Sequence, residues 1–213
     1  MFAVAFLLGI LGVWILVAES LRPGVIELTN DPVSAASNYA KRGAAVTAAR
    51  AGLLRGDLWA DAAIASTPMP WTQDKSLAPP EEAQAITVTA IRYAPHDSRL
   101  WLLLAANYFR LNGLNEKALA ALKMSYYTGS NTISILPERL FLVINSRGLE
   151  DKELRELVRH DILIAVMHKS ALMPALADAY RSAPPSGKQF VEDTLAEFDP
   201  SVLAVIRAQG GNR

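Results

Sequence analysis

The residues able to do chemistry are few, and their spacing does not assemble them. Three histidines, His96, His160 and His168, stand in a chain of 213 residues with no cysteine. No two of them are three or four residues apart, the spacing that sets a pair of zinc ligands on one helix face. Without cysteine there is no thiol nucleophile, thiolate metal site or disulfide framework, and the redox compartment stays open. His160 and Asp161 are sequence neighbours, so a helix points them to different sides. His96 lies in Pro95-His96-Asp97, a boundary where capping or facing solvent is its ordinary role. The acidic pairs Glu81-Glu82 and Glu150-Asp151 fall at helix starts, where the positive end of the helix dipole accounts for them. No G-x-S-x-G elbow, phosphate-cradling glycine loop or H-E-x-x-H segment occurs. The expectation is a protein that is not an enzyme, with no catalytic residue, cofactor or metal.

Composition narrows the remaining classes. Lysine plus arginine, 21, equals aspartate plus glutamate, 21, so no net field draws the chain to nucleic acid. Hydrophobic residues make up 51%, alanine is plentiful, and β-branched runs of period two are hard to find. That pattern predicts an all-α fold.

The elements that must position any site begin with Phe2 to Ala18, FAVAFLLGILGVWILVA, an uncharged run closed by Glu19, Ser20 and Arg22. As a helix it reaches roughly 26 Å, close to a bilayer core. Its Leu, Ile, Val and Phe residues favour insertion by roughly 3 to 7 kcal/mol. Residues 1–20 therefore read as an uncleaved transmembrane anchor, with membrane contact through 2–18 and Trp14 suited to the interface. The alternative is a cleaved signal peptide; Ala18-Glu19-Ser20 has small residues at the right spacing, but a positively charged n-region is missing. Such an anchor with a long C-terminal domain is expected in the bacterial inner membrane as a single pass, with the domain periplasmic. Residues 21–31, with Pro23-Gly24, read as a linker. Asp31 as N-cap and Pro32 in the first turn open a helical domain over 32–208, leaving 209–213 as a disordered tail.

Within that domain the sequence predicts an alanine-rich helix from Pro32 to Arg55 interrupted at Gly43, closed by Gly56-Asp57, and a second helix from Leu58 to Ala65. Gly52 and Gly56 form a G-x-x-x-G that fits close helix packing at a turn. Ser66 to Pro80 holds four prolines in fifteen residues and cannot continue a helix. Trp71 in its middle reads either as a rigid anchor for a partner or as a seal over a gap in the fold. Further helices are expected from Pro80 to Tyr93, Arg99 to Arg110, Leu136 to Ser146, Glu150 to His168, Ala171 to Ser182, Gly187 to Phe198 and Pro200 to Ala208.

Two fragments share one phase. Ala83, Ala90 and Pro95 give A-x6-A-x4-P, and Trp101, Leu104, Ala105 and Tyr108 give W-x2-L-A-x2-Y. Together they resemble the tetratricopeptide repeat (TPR), a helix-turn-helix unit of about 34 residues. Ser125-Tyr126-Tyr127-Thr128-Gly129-Ser130-Asn131 followed by Leu136-Pro137-Glu138-Arg139-Leu140 is similar to stretches of small membrane-anchored repeat proteins of bacteria. The resemblance implies a transmembrane helix followed by a short TPR-like α-solenoid of antiparallel helix pairs, a scaffold that binds a protein or peptide. By that resemblance the groove residues are Arg99, Leu102, Ala106, Phe109 and Arg110, joined by Trp71 from the loop; these side chains could equally pack against a neighbouring helix. Lysine and asparagine, which clamp a peptide carboxylate in some members, are replaced here by Leu102 and Ala106. The competing expectation is a structural subunit of a membrane complex whose anchor packs against other spans.

Overall fold

The structure, a computed structural model, describes residues 2–29, 32–67 and 80–210, and among the described residues every regular element is helical. The chain divides into two compact units, Met1–Gly113 and Leu114–Arg213.

The first unit holds α1 (Phe2–Ser20), α2 (Pro32–Ala40), α3 (Arg42–Gly52), α4 (Gly56–Ser66), α5 (Pro80–Tyr93) and α6 (Ser98–Asn112). α1 has 19 residues and is long and apolar enough to cross a membrane. It is apolar around its whole circumference, and Ala18 is the only one of its described side chains that is buried. The break in the next helical stretch falls at Lys41, not at Gly43, which sits inside α3 with open space around it. The cause is tertiary. Asn38 donates a hydrogen bond to the Glu27 carbonyl (2.7 Å) and Lys41 Nζ donates to that of Val25 (3.1 Å), so the linker holds the joint. Asp31 and the loop residues 68–79 lie outside the described residues.

From α3 onward each helix packs on the next, and α4 also meets α6. Only three residues join α3 to α4, so the chain must double back for the two to pack. The interfaces are built from alanine: Ala45, Ala48, Ala49, Ala60, Ala62, Ala63, Ala65 and Ala90 are all buried. Small side chains let helix backbones approach closely, and Gly56 takes this furthest. A Cβ there would lie 2.9 Å from the Tyr93 carbonyl oxygen. One polar node fixes the far end of the stack, where Asn107 Nδ2 donates to the hydroxyls of Thr67 (3.2 Å) and Thr87 (3.3 Å). These bonds between a buried amide N–H and two buried hydroxyls favour one register of the helices that carry them, with Asn107 Oδ1 left without a partner among the described residues.

The two hairpins of this unit repeat a detail. The indole N–H of Trp59 donates to the Leu53 carbonyl (2.8 Å), and that of Trp101 donates to the Pro95 carbonyl (2.7 Å), each six residues back. The 42 residues that separate Trp59 from Trp101 also separate buried Ala48 from buried Ala90 and buried Leu58 from buried Leu100. Each indole crosses the turn between two helices and ties it shut.

The second unit holds α7 (Glu116–Thr128), α8 (Leu136–Ile144), α9 (Lys152–Met167), α10 (Lys169–Ser182), α11 (Pro185–Phe198) and α12 (Pro200–Gly210), with 3-10 turns at Ile133–Ile135 and Arg147–Glu150. α12 runs to Gly210, and residues 211–213 lie outside the described residues. Side-chain caps start α7 and α9. Asn115 accepts from the Ala118 amide (2.9 Å) and Asp151 accepts from the Leu154 amide (2.9 Å). α8 is central, packed against α9, α10 and α11. It is also where charge enters the core. Arg139 is 0% exposed; its guanidinium donates to the Ser125 hydroxyl (3.0 Å), the Ser125 carbonyl and the Gly129 carbonyl (2.8 Å), and lies 4.3 Å from the Tyr126 ring centre. These bonds gather up carbonyls at the end of α7, which has no further intrahelical donors for them.

Glu138 and Asp161 are buried near this arginine's helix, and burial pushes each carboxyl up to about 7; the Arg139 charge and the Tyr126 hydroxyl act on Asp161 in the opposite sense. Both pKa values are raised on folding, so the folded chain holds protons that the unfolded chain releases. The stability these two groups contribute is therefore fully present below the unfolded carboxyl values near 4 and is lost as pH rises through about 7. Thermal unfolding followed by circular dichroism should show a lower midpoint at about pH 8 than at about pH 5. The paired substitutions Glu138→Gln and Asp161→Asn should flatten that slope, and an unchanged slope would assign it to other groups.

Candidate functional site

The C-terminal end of α1 is fastened to the first unit by three kinds of contact. The Trp14 indole N–H donates to the Ala51 carbonyl (2.7 Å), one of the last carbonyls of α3, which lack intrahelical donors. Ala18 enters the same core as Ala45, Ala48, Leu58 and Ile64. Gly52 makes room in this core for Leu58; a Cβ there would stand 2.5 Å from the Leu58 Cδ1, while Ala18 lies at ordinary contact distance, 3.7 Å. Immediately beyond the apolar run comes an ionic cluster. Arg22 bonds Asp61 through Nε (2.8 Å) and Nη2 (2.7 Å), and reaches Glu19 (3.4 Å) and Asp57 (3.5 Å). Arg55 closes the ring against Glu19 (2.8 Å) and Asp57 (2.6 Å).

Asp61 is the buried member of this cluster. Burial raises its carboxyl above the ordinary aspartate value, while the Arg22 charge and hydrogen bond oppose the rise. Beside it lies a cleft of about 530 Å³, between the linker residues Gly24 to Glu27 and the charged groups of α4, with Arg99 on its wall. Its arginines are already committed: Arg22 to Asp61 and Arg99 to Asp97 (2.6 Å). Chemically the arrangement is a clamp that holds α1 and the linker on α4. Among the described residues that line the cleft, both arginines are thus already paired. Among the described residues no three acidic or histidine side chains converge in a way that could hold a metal ion.

The groove residues expected from the sequence do not form one surface. Arg99 is at the start of α6, where Asp97 accepts from its backbone amide (3.0 Å) and binds its guanidinium. Leu102 and Ala106 are each about 1% exposed and belong to the core. α6 packs on both α4 and α5, and a helix held on two sides buries both of its apolar stripes. Phe109 and Arg110 are half-buried at the far end of α6, ten residues and about 15 Å from Arg99. Arg110 Nη1 is buried without a hydrogen-bond partner among the described residues. Burial lowers the Arg110 pKa, with Glu81 acting in the opposite direction. Trp71 lies outside the described residues.

Sequence reasoning gave Trp14 an interfacial role and missed its bond to Ala51. It also missed Asp61, for which one signal was available: a lone carboxylate inside the apolar helix Trp59-Ala60-Asp61-Ala62-Ala63-Ile64. In the second unit a further cleft of about 530 Å³ runs between the Arg147–Glu150 turn and α11. There the Arg155 guanidinium lies 5.3 Å from the Phe190 ring centre, and Arg147 binds Glu150 through two bonds (2.7 and 2.8 Å).

Removing one partner of a largely buried ion pair leaves the other without compensation. Arg22→Gln should therefore lower stability by about 1–3 kcal/mol, measured by denaturant unfolding. Asp61→Asn in the same chain should recover part of the loss, and strictly additive effects would show that the two groups do not couple. Comparison with protein-family models, with curated proteins and with solved structures finds no match for this chain.

Proposed function

We propose that this protein is a membrane-anchored, TPR-like scaffold that binds a protein or peptide partner, with α1 crossing the bacterial inner membrane once and the helical units on the periplasmic side, in the service of cell-envelope assembly. Its role in this reading is binding and not catalysis. Retention of α1 is supported by its packing: a cleaved leader has no reason to place Ala18 in the core or to bond Trp14 to Ala51. The TPR-like arrangement is supported by the repeated hairpins α3–α4 and α5–α6, with their matched indole bonds and buried alanines. The observation that carries the binding reading is at the end of α6. Phe109 and Arg110 are both half-buried in the last turn of α6, and the buried Arg110 Nη1 lacks an acceptor among the described residues. A helix end that carries an aromatic side chain and an unsatisfied guanidinium N–H suits a partner that brings both an apolar group and a carbonyl or carboxylate oxygen. Replacing Phe109 and Arg110 together by alanine should abolish recovery of the cross-linked partner from native membranes while leaving helical circular dichroism intact. Unchanged recovery would remove the end of α6 from the role.

A second reading, a structural subunit whose anchor packs against other spans, draws support from α1 itself. Gly9 and Gly12 have open space where a side chain would stand, and small residues on a membrane helix let another helix approach closely. Exchanging residues 2–13 for an unrelated apolar span, with Trp14 to Arg22 retained, separates the two readings. The scaffold keeps its partner; the subunit loses its assembly.

A further inference from the structure

We infer that the turn between α3 and α4, Leu53-Leu54, is a lipid-contacting element that seats the first unit in the membrane interface beside α1. The inference rests on the reading of α1 as a membrane span. It follows from a register fixed at both ends of the turn. On one side Ala51 accepts the Trp14 indole bond at 2.7 Å, and on the other Arg55 pairs with Glu19 at 2.8 Å. Between these ties the chain from Ala51 to Arg55 runs alongside the stretch of α1 from Trp14 to Glu19, a rise of about 7 Å. That stretch is where the apolar run ends and charge begins. Leu53 and Leu54 therefore stand level with the boundary between hydrocarbon and headgroups, not out in the water beyond it.

Their exposure and backbone point the same way. Leu53 is 59% exposed and Leu54 is 72% exposed, consecutive on a turn of three residues. Leu53 has φ +47°, the only positive φ at a described non-glycine residue. A turn of that shape facing water ordinarily carries glycine or asparagine. Two leucines there gain nothing from water, but they gain apolar burial when acyl chains meet them, as side chains on interfacial elements do. Arg50, in the last turn of α3, is exposed with no ion pair among the described residues, a cation near headgroup level whose stem can lie along apolar surface. The polar ring of Glu19, Arg22, Arg55 and Asp57 marks the water side of the same junction. The two ties hold this exposed apolar turn beside the end of α1, whose Ile15, Leu16 and Val17 are exposed as well, and lipid is thus the occupant it fits.

The absence of cysteine makes the test direct. Single-cysteine variants Leu53→Cys and Leu54→Cys of the full chain, labelled with an environment-sensitive fluorophore, are reconstituted into vesicles of phosphatidylethanolamine and phosphatidylglycerol. Leu54→Cys leaves the strained position untouched, and circular dichroism checks the fold of both. Labels at Leu8→Cys, inside α1, and at Ala120→Cys, exposed on α7, serve as references. Lipids with a nitroxide just below the headgroup should quench positions 53 and 54 several-fold more strongly than position 120. Quenching at position 8 with none above the Ala120 level at 53 and 54 would overturn the inference and leave the membrane span standing. No quenching at position 8 by lipids with a nitroxide deep in the acyl chain would overturn both.

Discussion

The first unit depends on one constraint: a helix with no polar face must be attached to a domain that is otherwise an ordinary alanine-packed stack. α1 meets it by changing character in its last turns. For most of its length it offers apolar surface in every direction, which suits lipid and gives no unique docking face. At Trp14 and Ala18 it acquires one specific hydrogen bond and one buried methyl, and at Glu19 and Arg22 it adds ion pairs. The hydrogen bond meets an α3 carbonyl that its own helix cannot satisfy. The methyl packs beside Gly52, which leaves room for Leu58 in the same core. Neither contact would hold the helix alone, since an indole bond is worth about 1 kcal/mol net. Together with the ionic ring they fix both its position and its rotation.

The two units solve the problem of a buried polar group in different ways. In the first, neutral groups meet neutral groups where Asn107 donates to Thr67 and Thr87, and the buried Asp61 carboxyl is met directly by the Arg22 guanidinium. In the second, a whole guanidinium is enclosed. Arg139 is tolerable there because carbonyls, a hydroxyl and the Tyr126 ring surround it, and because carboxyls on neighbouring positions can take up protons instead of remaining charged. Neutral bonds give register with little dependence on conditions, whereas the charged arrangement ties the packing of α7 and α8 to protonation.

Much of the helical order was legible in the sequence because its stops and starts are local. Proline and acidic residues open α5, Asp151 caps α9 as its sequence position predicts, and the prolines after Ala183 and Asp199 mark the ends of α10 and α11. Local reading failed where the deciding contact is distant. The break at Lys41 depends on the linker carbonyls of Val25 and Glu27. Asp61 reads as an isolated carboxylate until Arg22, far away in sequence, is seen against it. Trp59 was missed as a repeat landmark because Ala62 and Ser66 stand where the repeat pattern asks for leucine and tyrosine, yet Ala63 fits the pattern and the Trp59 indole bond matches that of Trp101. Glu138 and Arg139 read as polar residues at a helix start, and nothing in their spacing says that α9 and α10 close over them. Leu102 and Ala106 were read as groove candidates and lie in the core, for the related reason that periodicity shows a helix with two apolar stripes but not which neighbours cover them.

The clamp at the base of α1 has a mechanical side. A helix joined to its domain through a flexible tether can tilt freely while the domain stays still. Here Trp14, Ala18 and Arg22 grip α3 and α4 directly, so α1 and the first unit move as one lever whose fulcrum is the turn beside the clamp. With α1 in a membrane, as proposed, a change in bilayer thickness that reorients it would swing the first unit through the same angle, and a lateral pull on that unit would become a torque on the helix.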